Sequence, residues 1–197
     1  MKEPLQDAAL VLVDIQNDFC PGGALAVNEG DQIVGVVNRL IHKFPFVVTT
    51  QDWHPANHIS FKERGGPWPP HCVQGTRGAE LHPALDRAGI DYGVRKGQTS
   101  EQDAYSGFEG TDEAGRTLDE VLKGRNVEKV YVAGLATDYC VRATVLDALK
   151  NGYEVYAITD AMRAVNVNPD DGTKALQEMA SKGAHLTTSS EVVKRDA

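Results

Sequence analysis

Strand-like and helix-like segments alternate along this chain of 197 residues. Short apolar runs rich in β-branched residues, such as 8–13 and 129–132, are separated by segments with helical spacing, such as 31–44. Strands that alternate with helices pair in parallel, because each crossover helix returns the chain to the same end of the sheet. We therefore predict a doubly wound α/β fold with a mostly parallel, six-stranded sheet and helices on both faces.

The remaining predicted elements continue the alternation of strands and helices. We expect further strands at 46–50, 91–95, 154–159 and 185–188, and helices at 79–87, 117–123, 137–151 and 170–182. Gly152 and Gly183 stand where the last two helices should end, as helix C-caps. No internal repeat or linker divides the sequence, so we expect a single domain over residues 1–197.

The charge and the cysteines limit the classes of partner and compartment. The formal net charge is −8, and nucleic acids and anionic membranes repel such a protein, so we expect neither as a partner. No apolar run approaches the roughly 20 residues needed to span a bilayer, and we expect no signal peptide after Met1. Cys20, Cys72 and Cys140 are few and widely spaced, which indicates a reducing, cytoplasmic compartment without disulfides.

Polar or reactive residues follow four predicted strands at the point where each strand ends. Asp14, Asp52 and Lys96 come directly after apolar strands, and Cys140 follows a fourth strand at the start of a helix. In a doubly wound sheet the active site lies beyond the carboxyl ends of the strands, at the topological switch point. We therefore expect these four side chains to meet at one edge of the sheet.

Cys140 is the candidate nucleophile. In the first turn of a helix, free backbone N–H groups and the helix dipole favour negative charge, so we predict a lowered thiol pKa. Asp14 is then the candidate general base, and Lys96 a cation that stabilises the thiolate. Taken singly, Cys140 also fits a core residue, Asp14 a cap or solvated loop residue, and Lys96 a surface lysine.

A second polar cluster lies in the segment 52–78, which is rich in Pro, Gly and His. A loop of this length within a compact domain is usually functional. Asp52 and His54 project to the same side of an extended segment, and His71 follows them. One carboxylate and two imidazoles bind zinc, iron or manganese and leave positions open, although three unrelated polar loop residues are the alternative. The competing ligand candidates are His58 and Cys72.

Phe19 and Trp68 are aromatic residues on loops rather than in periodic elements. They either fold back onto the core or form a sandwich for a flat ring.

Three motifs together resemble the nicotinamidase branch of the isochorismatase-like cysteine hydrolases. They are VDIQNDF at 13–19, DWHP at 52–55 with GGPWPPHCV at 65–73, and GLATDYCV at 134–141. The first and third are common to much of the superfamily, whereas the middle motif is specific to nicotinamidases. The resemblance covers essentially the whole chain.

The resemblance implies hydrolysis of nicotinamide to nicotinate and ammonia in NAD salvage, through a cysteine thioester. It implies a catalytic triad of Asp14, Lys96 and Cys140, one divalent metal ion (zinc before iron or manganese), and a cis peptide between Leu135 and Ala136. Related proteins often form homo-oligomers. The other implied site residues are Asp52, His54 and His71 as metal ligands, Glu63 joining them through water or directly, Ser60 behind them, Ala136 and Cys140 at the oxyanion hole, and Phe19, Trp68, Tyr105 and Gln16 around the substrate.

Three alternatives to this reading differ in chemistry. One is a related cysteine amidohydrolase or isochorismatase that acts on another small substrate. The second is a metallohydrolase that uses metal-bound water, with Cys140 as a structural residue. The third is a non-catalytic protein that binds nicotinamide or serves as a scaffold.

Overall fold

The computed structural model describes residues 5–195, so the expectations about residues 1–4 and the last two residues lie outside it. The strands are β1 (Ala8–Val13), β2 (Val47–Asp52), β3 (Tyr92–Lys96), β4 (Lys129–Leu135), β5 (Glu154–Arg163) and β6 (His185–Thr187). The α-helices are α1 (Ile33–Ile41), α2 (Leu118–Lys123), α3 (Arg142–Lys150), α4 (Asp171–Ser181) and α5 (Ser189–Arg195). None of the helices within residues 5–195 has the length and apolar character needed to cross a membrane.

The strands form one sheet in the order β3-β2-β1-β4-β5-β6, and each neighbouring pair is parallel. The predicted doubly wound parallel sheet is therefore confirmed. The strand order reverses between β1 and β4, which places the switch point, and the expected site, at the carboxyl ends of these two strands.

Helices cover both faces because the central strands are apolar on both sides. All six residues of β1 are buried. Leu10 and Leu12 pack with α1 and α5 on one face, whereas Val11 and Val13 pack with α2, α3 and α4 on the other. Burial of these two apolar clusters stabilises the three-layer arrangement and fixes the carboxyl edge of the sheet.

The helix predicted at 79–87 is wrong. The chain instead forms short 3₁₀ turns at Arg77–Ala79 and Arg87–Gly89. Pro83 lacks an N–H and disfavours helical geometry at His82, and the backbone N–H of His82 donates to the carbonyl of Ile15 at 2.8 Å. The segment therefore runs along the loop that follows β1.

Three other elements differ from the prediction. The helix predicted at 137–151 begins with a π-helical turn, Thr137–Val141, before α3. β5 continues to Arg163, and α5 was not predicted. Asp160, far away in the sequence, accepts a hydrogen bond from the Ser189 N–H at 2.7 Å at the start of α5. Local spacing does not reveal such a distant contact.

Gly134 allows β1 and β4 to approach each other at the edge that carries the site. Its φ is +127°, and a Cβ atom there would lie 2.1 Å from the carbonyl oxygen of Val13. Only glycine fits this position without displacement of the backbone.

Candidate active site

Four polar or reactive side chains lie together at the carboxyl edge of the sheet. Asp14 follows β1, Asp52 ends β2, Lys96 ends β3, and Cys140 lies in the π-helical turn after β4. Cys140 is 7% exposed, and the other three are at most 4% exposed. The structure thus brings together the four residues that end or follow the predicted strands.

Lys96 lies at the centre of this group. Its Nζ is 2.9 Å from Oδ2 of Asp14 and 3.4 Å from Sγ of Cys140, and it also donates to Oδ1 of Asp52. Oδ1 of Asp14 accepts a hydrogen bond from Oγ1 of Thr50 at 2.6 Å. Burial alone would lower the pKa of Lys96, but Asp14 and Asp52 hold that pKa well above its usual value, so the buried amine stays charged.

The predicted low pKa of Cys140 is wrong. Burial raises the pKa of this thiol well above its usual value; Lys96 lowers it in part, and Asp14 and Asp52 raise it again. Burial also raises the pKa of Asp14, against the opposing effect of Lys96. Because the thiol and the carboxylate both contact the ammonium of Lys96, they are placed to exchange a single proton.

Asp52, His54 and His71 form a buried set of metal donors. Oδ2 of Asp52 lies 3.3 Å from Nε2 of His54 and 3.8 Å from Nε2 of His71, and the three donor atoms lie within 4.8 Å of one another. A carboxylate and two imidazoles in this arrangement suit a divalent ion and leave positions for further ligands. Cys72 packs in the apolar core and does not belong to this set.

Backbone carbonyls orient both histidines for metal binding. Nδ1 of His54 lies 2.9 Å from the carbonyl oxygen of Gly97, and Nδ1 of His71 lies 2.8 Å from that of Pro69. A carbonyl accepts only from an N–H, so Nδ1 of each ring carries a proton, and Nε2, the nitrogen that faces Asp52, is the atom that would bind a metal ion. The residues present therefore fit a metal ion.

The structure contradicts the expected contact of Gln16 with substrate. Its fully buried Nε2 donates to the carbonyls of Asp52 and Ala79, both at 2.8 Å, and its Oε1 accepts from the Asp52 N–H at 2.9 Å. Gln16 does not line the cleft beside Cys140. Its amide instead holds the end of β2, and with it the Asp52 side chain.

Ser60 and Glu63, expected around the metal ligands, have different surroundings. Oγ of Ser60 lies 2.7 Å from Nδ1 of His58, whose ring stacks on that of His54 at 4.0 Å. Nε2 of His58 lies 2.9 Å from the carbonyl of Gln102, so both ring nitrogens have partners and His58 supports His54 instead of competing for metal. Glu63 is exposed and lies outside the buried donor set, which argues against direct ligation.

The turn that carries Cys140 follows a cis peptide bond between Leu135 and Ala136. The Ala136 carbonyl accepts hydrogen bonds from the N–H groups of Tyr139 and Val141, each at 3.1 Å. Ala136 and Cys140 both line the cleft. The two residues expected at the oxyanion hole are therefore adjacent to the same space.

An aromatic cleft opens beside Cys140. Phe19, Trp68 and Tyr105, all expected around the substrate, line it, and Nε1 of Trp68 donates to the Tyr105 hydroxyl at 3.0 Å. Tyr139 also lines the cleft, with its ring edge-on to Trp68 at 5.0 Å. We did not predict Tyr139, although its position next to Cys140 in the third motif was the available signal.

Comparison with known proteins agrees with this geometry. A family model described as an isochorismatase domain matches residues 8–191. The chain belongs to the isochorismatase family. Among curated members of this family, the nicotinamidase of Escherichia coli is 46% identical over 200 residues, and the alignment covers 91% of this chain and 94% of that protein.

Solved structures of relatives share the fold. The pyrazinamidase of Pyrococcus horikoshii, in complex with zinc, is 50% identical with a TM-score of 0.83, covering 92% of this chain and 99% of that one. PnC1 from L. infantum, in complex with nicotinate, is 38% identical with a TM-score of 0.89, covering 96% of each chain. These relatives place the chain in the nicotinamidase branch of the isochorismatase family.

Proposed function

We propose that this chain hydrolyses nicotinamide to nicotinate and ammonia through a thioester on Cys140. The observation that carries the proposal is the buried contact of Lys96 with both Asp14 and Cys140, next to a metal donor set and an aromatic cleft. Nicotinamidases among the relatives with high identity over most of the chain support the same reaction.

Asp14 is the proposed general base and Lys96 the cation that compensates the charge. The Cys140 proton passes to Asp14 as Sγ attacks the carboxamide carbon, and the π electrons of the C=O bond move to its oxygen. The backbone N–H groups of Ala136 and Cys140 are proposed to stabilise this oxyanion. Its collapse breaks the C–N bond, and Asp14 returns the proton to the departing ammonia.

The thioester that remains is hydrolysed by water. Asp14, now ionised again, takes a proton from the attacking water. Collapse of the second tetrahedral species breaks the C–S bond, Asp14 returns the proton to Sγ of Cys140, and the acid that is released loses its own proton to solvent and leaves as nicotinate. Lys96 stays charged despite burial, because the carboxylate of Asp52, joined by that of Asp14 when it is ionised, holds the pKa of Lys96 well above the usual value.

Asp52, His54 and His71 are the proposed ligands of one divalent metal ion. Zinc is the first choice, since the Pyrococcus horikoshii relative is described in complex with zinc, and iron and manganese suit the same donors. When bound, the ion would orient the pyridine ring and withdraw electron density from it. The three side chains would hold the ion beside the cleft, which Asp52 and His71 line.

Phe19, Trp68 and Tyr105 are the proposed contacts for the flat ring. The hydrogen bond from Trp68 to Tyr105 fixes the indole against the cleft. Aromatic faces on a mostly apolar wall suit a small heteroaromatic amide. The cytoplasmic location, the role in NAD salvage and the oligomeric state remain predictions.

Ammonia release from a panel of small amides tests this function. The purified protein, loaded with zinc, should turn over nicotinamide with a higher kcat/KM than aliphatic amides of similar size, because these lack the ring that the cleft holds. No turnover of nicotinamide alongside hydrolysis of another amide would show instead a related amidase. No turnover of any amide would favour a binding protein.

A further inference from the structure

The two carboxylate oxygens of Asp52 face two different cation positions. Oδ2 faces the imidazoles of His54 and His71, which is the proposed metal position. Oδ1 accepts a hydrogen bond from the ammonium of Lys96. A single carboxylate thus separates a metal position from an ammonium that lies against the nucleophile.

The position of the ammonium is itself surrounded by metal donors. A carboxylate oxygen of Asp14, one of Asp52, and Sγ of Cys140 lie within 4.8 Å of one another, and all three residues are buried. Among residues 5–195, Oδ2 of Asp14 accepts no hydrogen bond of good geometry, and the charge of Lys96 at 2.9 Å compensates its negative charge. Thiolate and carboxylate are both good ligands for zinc, so these donors suit a metal as well as they suit an amine.

We propose that Lys96 keeps the divalent metal away from the nucleophile, because its ammonium fills a second cation site formed by Asp14, Asp52 and Cys140. The thiolate that attacks a carbonyl is also the form that binds metal. A metal in this second site would therefore block Cys140. The proposal rests on the metal site of the proposed function, but it concerns where metal binds and not turnover.

Charge balance explains why removal of the lysine should open the second site. Buried carboxylates without a counter-charge cost several kcal/mol, so they take up protons or a cation. Carboxylates commonly hold two metal ions about 3.5–4 Å apart. In the absence of the ammonium, Asp52 would become such a bridging ligand, with Oδ2 on the first ion and Oδ1 on the second.

Cobalt loading of Lys96→Met tests the proposal, since methionine has nearly the length of lysine without its charge. Metal-free protein is loaded with excess Co²⁺, desalted and analysed for cobalt and for the near-ultraviolet thiolate-to-cobalt charge-transfer band. Wild type should hold one cobalt per chain and lack the band. Lys96→Met should hold two and show the band, and Lys96→Met/Cys140→Ser should lose it.

One cobalt per chain in folded Lys96→Met would overturn the proposal, and so would a second cobalt without the thiolate band. If circular dichroism shows that Lys96→Met does not fold, Asp14→Asn/Lys96→Met replaces it, with one buried negative charge fewer. Asp52 and Cys140 remain in that variant, so the band is still expected and its absence would overturn the proposal. Failure of the proposed function would appear separately, as the absence of nicotinamide turnover in the wild type.

Discussion

Replacement of Gln16 by leucine tests whether one buried amide holds the metal site together. Leucine is similar in size but leaves the N–H and the carbonyl of Asp52 without the partners that they have at 2.9 and 2.8 Å. Each buried polar group without a partner costs about 1–3 kcal/mol. We therefore expect Gln16→Leu to lower the free energy of unfolding by about 2–6 kcal/mol.

The effect should reach the metal, because the released backbone carries the Asp52 side chain with it. Loss of groups that orient metal ligands typically weakens metal affinity by about 10–100-fold. Chelator competition would measure the metal affinity, and urea unfolding would measure the free energy of unfolding. Gln51→Leu is the matched control: Gln51 is half-buried and donates to the same Ala79 carbonyl at 3.0 Å, and its side chain holds neither backbone group of Asp52. Equal metal affinity in the Gln16→Leu and Gln51→Leu variants would show that the Gln16 amide does not position Asp52 for metal binding.

Two further variants test how backbone positions shape the site. Gly97→Ala should weaken metal binding in a chelator titration, because the new Cβ would lie 2.4 Å from the His54 ring. Gly65→Ala is the control: Gly65 shares the positive φ, but no atom of residues 5–195 outside its immediate neighbours lies within 4 Å of the added Cβ, so this variant should bind metal normally. Asp138→Ala removes the carboxylate that accepts from the Val165 N–H at 2.9 Å beside the cleft. Steady-state kinetics should show a larger rise in KM than fall in kcat, and equal changes in kcat and kcat/KM would contradict a role in shaping the cleft.

The residues at the carboxyl edge of the sheet were predictable, because the pattern of apolar residues shows where each strand ends. Apolar runs locate the strands, and a parallel sheet gathers the residues that end or follow them at one edge. Asp14, Asp52, Lys96 and Cys140 follow from that rule alone, and the structure brings them together. The spacing of Asp52 and His54 similarly placed two of the three metal donors on one side of the chain.

The remaining features depend on contacts between distant parts of the chain. The sequence around Cys140 shows a turn that favours negative charge, but not the burial and the carboxylates that raise the thiol pKa. The motif around Gln16 does not show that its amide is used by the backbone of β2. The segment 79–87 has helical residues, but its pairing with the loop after β1 takes the place of a helix.

Ammonia release from nicotinamide by the Cys140→Ala and Cys20→Ala variants tests most directly whether Cys140 forms the thioester. Both replace a buried thiol, but Cys20 lies outside the cleft beside Cys140, and burial raises the pKa of Cys20 to about 11. We expect Cys140→Ala to bind nicotinamide and metal but to have no turnover, whereas Cys20→Ala should retain turnover. Continued ammonia release by Cys140→Ala would contradict the thioester and favour attack by metal-bound water.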